Sequence, residues 1–104
     1  MAKPNFKIDR DGVVHGTNNP CEQPKESEIQ IAANFLKACR IGYVTKLGSV
    51  QVNAPQSYHL KHVIERISGH YISNGAVILA ARRLGLPMKI LKDSPNVLIG
   101  VCLK

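Results

Sequence analysis

His59, His62 and Glu65 fall three residues apart in the stretch SYHLKHVIERISGHYISNGAVILAARRLGLP, residues 57–87, and His70 follows shortly after. Residues three apart on a helix are surface neighbours, so His59 and His62 could share an ion while Glu65 supports His62. The spacing is not that of HExxH, where the histidines stand four apart and the glutamate is the base. No Cys or Asp lies close in sequence to complete a tetrahedral shell. Solvated histidines on the polar face of a helix are the commoner outcome. The expectation is therefore no metal and no cofactor.

Nucleophilic chemistry has as little support. The chain contains no GxSxG, no P-loop and no GxGxxG, and no cysteine is paired in sequence with an obvious base. Tyr58, His62 and Asn74 would cluster only if two helices packed with their N-termini close, which the sequence does not require. No catalytic residue is assigned, and an enzyme is not expected.

Cations are the richer signal. Lys61, Arg66, Arg82, Arg83, Lys89 and Lys92 are spaced to reach phosphates. With His62, Ser73 and Asn74 they form the candidate nucleic-acid or partner-binding set, carried on a basic helical face over residues 57–92. Ser73 and Asn74 are the residues at the start of the second helix suited to base edges. Arg82 and Arg83 sit at its C-terminal end, where cations also favour the helix dipole for structural reasons.

These residues ride on two predicted helices. Leu60, Val63, Ile64 and Ile67 recur at i, i+3, i+4, i+7, an apolar stripe. That stripe leaves Lys61 and Arg66 on the opposite, solvated face. Ser57 is the expected N-cap and Gly69 the stop. Ser73 or Asn74 caps the next helix, whose stripe is Val77, Ala80, Ala81 and Leu84, and Gly85-Leu86-Pro87 ends it. Two helices joined by a short Gly-containing link outline a helix-turn-helix-like αα-hairpin. Upstream, Ser27 and Gln30 fit a capping box for a helix over 27–41, with Ile29, Ala32, Ala33, Leu36 and Cys39 at helical spacing and Gly42 as the stop. IGYVTKLGSVQV reads as two short strands around Leu47-Gly48-Ser49. The tail MKILKDSPNVLIGVCLK reads as a hairpin about Asp93-Ser94-Pro95-Asn96, with a buried strand over 97–103. Residues 1–26 form a loop-rich N-terminal arm, in which FKIDRDGVVHG makes a small hairpin at Asp11-Gly12. The expected fold is α+β: three helices packed on a small, mainly antiparallel sheet, with 27–104 as the single domain.

Composition bounds the rest. At 104 residues, 44% of them apolar, the chain is one domain with one aliphatic core, since Trp is absent. The net charge is +7. Residues 1–56 hold 7 basic and 5 acidic side chains (7 − 5 = +2), and 57–104 hold 7 basic and 2 acidic (7 − 2 = +5). A basic half-domain suits a polyanion or an acidic protein surface. Three cysteines, Cys21, Cys39 and Cys102, form no CxxC pair, which points to a reducing, cytoplasmic setting. No export stretch and no membrane span is visible.

The segment SYHLKHVIERISGHYISNGAVILAARRLG, followed by SPNVLIG, resembles a pattern in small uncharacterised proteins of phages, plasmids and other mobile elements. The shared positions are Ser57, Tyr58, Leu60, Lys61, His62, Glu65, Tyr71, Ser73, Asn74, Gly75, Ile78, Ala80, Ala81, Gly85, Pro95 and Asn96. The resemblance covers the C-terminal half and implies a context rather than an activity. Proteins of such elements are often DNA-binding regulators or inhibitors of host defence, anti-CRISPR proteins included. The expected function is a small accessory protein that binds nucleic acid through the 57–92 face. The alternative is an inhibitor of a host defence complex docking through the same surface. A homodimer is possible in either case, and no membrane partner is expected.

Overall fold

The computed structural model describes residues 7–15 and 22–103. The elements run β1 (Ile8–Asp9), β2 (Gly12–Val13), α1 (Glu26–Lys37), β3 (Arg40–Ile41), α2 (Ser57–Ser68), α3 (Asn74–Leu84), β4 (Met88–Ile90), β5 (Val97–Ile99) and β6 (Val101–Cys102). The architecture is α+β: three helices with small antiparallel strand pairs.

Helix α3 is the centre of the molecule. Ala76, Val77, Ile78, Ala80 and Ala81 are all fully buried, so the helix is apolar nearly all round over its first two turns, as a core helix must be. Its small alanines admit close neighbours. Ile29, Ala32 and Leu36 of α1 pack on it most extensively, and Leu60 and Ile64 of α2 complete the core with Val97, Ile99 and Val101. Ser73 caps α3 by accepting a hydrogen bond from the Ala76 amide at 3.1 Å, and Gly85 closes it in the left-handed region at φ 72°. No described helix is long and apolar enough to cross a membrane.

The strands form three two-stranded ladders rather than one sheet. β1 pairs with β2, β3 with β6, and β4 with β5. Gly100 separates β5 from β6, so one run of chain serves two ladders in succession. A bridge from Gln56 to Leu98 lays the start of α2 along the other edge of β5.

Several expectations change. α1 starts at Glu26 behind an N-cap at Lys25 that makes no side-chain cap bond, so the capping box of Ser27 and Gln30 does not form. Gln30 instead donates to Glu26 at 3.0 Å. The helix stops at Lys37, not 41, because Arg40 and Ile41 leave to pair with Cys102 and Val101. The two strands expected around Gly48 reduce to one bridge, Val44 to Val50. Ser57 is inside α2, not its cap. Its buried hydroxyl accepts from the Val97 amide at 3.1 Å and ties the helix to β5. The β1–β2 hairpin forms where the Asp11-Gly12 turn was expected, and it belongs to the body, since Ile8 and Val13 join the core. Residues 16–21 of the arm, Cys21 among them, lie outside the described residues. Cys39 and Cys102 are free, half-buried thiols. Burial, then the neighbouring Cys102, pushes the Cys39 thiol up.

The apolar face of α2 is rotated from the expected one. Ile67 is 68% exposed, while Lys61, expected on the solvated face, is only 8% exposed. The cause lies outside α2. Tyr71, from the link after α2, lies over the lysine, and no described segment covers the last turn at Ile67.

Candidate functional site

Five stretches of chain converge on an open cleft of about 360 Å³. Its lining is Arg10 and Asp11 from the β1–β2 turn, Tyr58 and Lys61 from α2, Tyr71 from the link, Asn74 from α3, and Pro95 and Asn96 from the tail.

The turn reaches the cleft because Asp9 builds it. Its buried carboxylate accepts from the Asp11 amide at 2.8 Å and the Gly12 amide at 3.2 Å, an Asx turn. Gly12 has φ 128° and lies against the Pro95 carbonyl, where a Cβ would overlap that oxygen. Gly75 likewise lets the Asp9 carbonyl close over the first turn of α3, and the Gly75 amide donates to the Arg10 carbonyl at 3.0 Å.

Asn74 ties these pieces together. It is 5% exposed, and its Nδ2 faces the Asp11 carbonyl at 2.9 Å, Asn96 Oδ1 at 2.9 Å and the Pro95 carbonyl at 3.3 Å. An amide nitrogen has two hydrogens for these three acceptors. Its Oδ1 is buried and has no donor among the described residues. Asn96 in turn donates to Gln56 at 3.3 Å.

Lys61 holds the aromatic wall. Its Nζ lies 5.6 Å from the Tyr58 ring centroid and 5.0 Å from that of Tyr71, within cation–π range of both. It donates to Glu65 Oε2 at 3.0 Å, and the same oxygen accepts from the Ile72 amide at 3.1 Å. Burial opposes ionisation of Glu65, but the Ile72 amide and the Lys61 ammonium outweigh it and hold the carboxyl below its ordinary range. Glu65 Oε1 stands 3.3 Å from His62 Nδ1, and the His62 ring meets Tyr58 edge-on at 4.6 Å. Both tyrosines remain open to solvent.

The candidate residues named from the sequence divide by position. Lys61 and Asn74 line the cleft, and His62 stands behind Tyr58. Ser73 is fully buried as the cap of α3, and its amide donates to Glu28 at 3.0 Å. The start of α3 therefore offers no exposed side chain to a DNA groove. Arg82 and Arg83 lie at the other end of α3, about 13 Å away by helical rise. Arg83 makes a two-bond pair with Glu26 there. Arg66 is exposed on the last turn of α2. Lys89 is exposed on β4, and Lys92 is exposed in the turn leading to Pro95. His59 is not brought to His62 by any shared partner, and among the described residues no group of three or more His, Cys, Asp or Glu is placed to hold a metal.

Sequence reading assigned none of Arg10, Asp11, Tyr71, Pro95 and Asn96 to a site, although Tyr71, Pro95 and Asn96 stand among the shared positions of the resemblance. Tyr58 and Lys61 at i, i+3 carried a local signal of an aromatic–cation pair. Arg10 and Asp11 carried none, because their place depends on contacts across more than sixty residues. No protein-family model, curated protein or solved structure matches the chain.

Proposed function

We propose that this chain is a small nucleic-acid-binding accessory protein whose contact surface centres on the cleft and draws on the exposed cations Arg66, Lys89 and Lys92. The observation that carries the reading is the juxtaposition of aromatic and cationic groups. Two solvent-open tyrosines flank a buried ammonium, Arg10 stands on the rim, and Lys92 occupies the turn running into Pro95. Among the described residues no acid lies within ion-pair distance of Arg66, Lys89 or Lys92. Unneutralised exposed cations suit phosphates, and aromatic faces suit bases. The net charge of +7 adds a long-range pull on a polyanion. The resemblance to mobile-element proteins supplies a setting in which such an accessory factor acts.

A labelled oligonucleotide titrated with the protein at rising salt tests this. The expected outcome is binding that weakens with a log–log slope of about −0.7 to −0.9 per phosphate contact. Lys89→Glu/Lys92→Glu should weaken binding and flatten that slope while leaving the melting curve in place. No binding to any nucleic acid at low ionic strength would remove the reading.

A second reading, an inhibitor that docks on a host protein complex, draws on a different surface. Leu47 is 89% exposed and Val52 82% exposed on the segment between β3 and α2, and Ile41 of β3 is 61% exposed. Apolar side chains left in water suit a protein partner. Recovery of a nuclease-resistant complex by the parent, lost in Leu47→Asp/Val52→Asp, would favour this reading over the first.

A further inference from the structure

We propose that the cleft seats one unpaired nucleobase, so that the partner is single-stranded rather than duplex nucleic acid. The inference rests on the nucleic-acid reading above and specifies its substrate class. A cleft of about 360 Å³ is at the small end of ligand sites, which run from about 300 to 1,000 Å³. That volume suits a base with its sugar. In a duplex the bases are stacked inside the rod and present only their edges in the grooves. A concave site of this kind accepts a base only after it has left the stack, as single-strand readers require.

The walls suit a planar guest. Tyr71 is 61% exposed and Tyr58 nearly half exposed, yet Lys61 holds both rings through its ammonium and is itself held by Glu65. The rings are thus ordered before a ligand arrives, which lowers the entropic cost of stacking on them. Lys61 acts as a positioning residue, because its charge is already satisfied by Glu65. The phosphate falls to Arg10. Its partners there are Glu22 at 2.8 Å and Asp11 at 4.0 Å, both in solvent-exposed pairs, which a phosphate can replace at little cost. The floor carries an independent mark of a missing partner. Asn74 Oδ1, buried and closed to solvent, lacks a donor among the described residues, so the floor beneath the guest is polar and incompletely satisfied.

The test uses three probes: a mixed-sequence single-stranded dodecanucleotide, the same strand annealed to its complement, and adenosine monophosphate. The chain has no Trp, so its intrinsic emission comes from its three tyrosines, and stacking is read as quenching. Tyr43→Phe removes the tyrosine outside the cleft from the signal. The single strand should bind at least about tenfold tighter than the duplex and quench the emission. One base–aromatic stack corresponds to about 5- to 150-fold in affinity, which Tyr71→Ala should lose and Tyr71→Phe should keep. Melting curves confirm that both variants fold. Equal affinity for single strand and duplex, with Tyr71→Ala unaffected, overturns this proposal and leaves the nucleic-acid reading standing. Adenosine monophosphate binding as tightly as the strand overturns it in favour of a free nucleotide. Failure of all three probes at low salt removes both readings together.

Discussion

Glu65 with Lys61 and Glu26 with Arg83 are both carboxylate–cation pairs at hydrogen-bonding distance, 3.0 Å and 2.6 Å. They stand at opposite ends of α3, and their surroundings differ. The first pair is mostly covered by the protein, and its carboxylate also holds the Ile72 amide and faces His62. The second lies in solvent, where Arg83 and Gln30 draw the Glu26 carboxyl down to about 2 without any buried group depending on it. Length alone does not rank them. What ranks them is how many buried polar atoms would be stranded if the acid were removed.

The largest expected effect is at the covered end. Glu65→Ala strands the Lys61 ammonium and the Ile72 amide together and should cost about 3 kcal/mol in urea denaturation. A loss no greater than that of Glu26→Ala would break the contrast. Asn74→Ala follows at about 1–3 kcal/mol, since the Asp11 carbonyl and Asn96 lose their shared donor. It should also loosen the β1–β2 turn, visible as faster amide exchange at Asp11 and Gly12.

Acid titration sharpens the same comparison. The Glu65 carboxyl is held below its ordinary 4.5 in the fold, so above that pH its contribution is complete. Below it the unfolded chain takes up the proton first, and stability falls as pH falls. Glu65→Gln should flatten that decline at any ionic strength. The contribution of Glu26 has the same sign, but added salt should screen it. Smallest of all is Glu26→Gln at moderate salt, for which the melting curve should superimpose on that of the parent. A clear shift there would mean that the exposed pair matters after all.

Periodicity and turn chemistry made much of this fold legible. The existence of α1, α2 and α3, the Ser73 cap, the Gly85 stop, the hairpin at Asp11-Gly12 and the tail hairpin after Ile90 all follow from signals within a few residues. Boundaries were less legible where a distant partner competes with a local preference. Arg40 and Ile41 continue a helical pattern but are taken by β6, and Ser57 looks like a cap but bonds to Val97. The candidate site was legible only in part. Lys61 and Asn74 were visible as polar residues of interest, whereas Tyr71, Arg10 and Asn96 were not, because nothing local links residues 10, 71 and 96.

By itself, the sequence determined three helices, their order, an aliphatic core and an excess of positive charge in the second half, because each is a local or additive property of the chain. Tertiary structure alone decided which side of α2 faces inward. A stripe of Leu60, Val63, Ile64 and Ile67 defines an average direction, but burial at each position depends on what the rest of the chain brings there. Tyr71, from the link after α2, lies over Lys61, and no described segment reaches Ile67. The cleft has the same origin: it exists only because glycines at 12 and 75 let the hairpin close on α3 and the tail. Van der Waals contact between segments far apart in sequence set that geometry, and no periodicity encodes it.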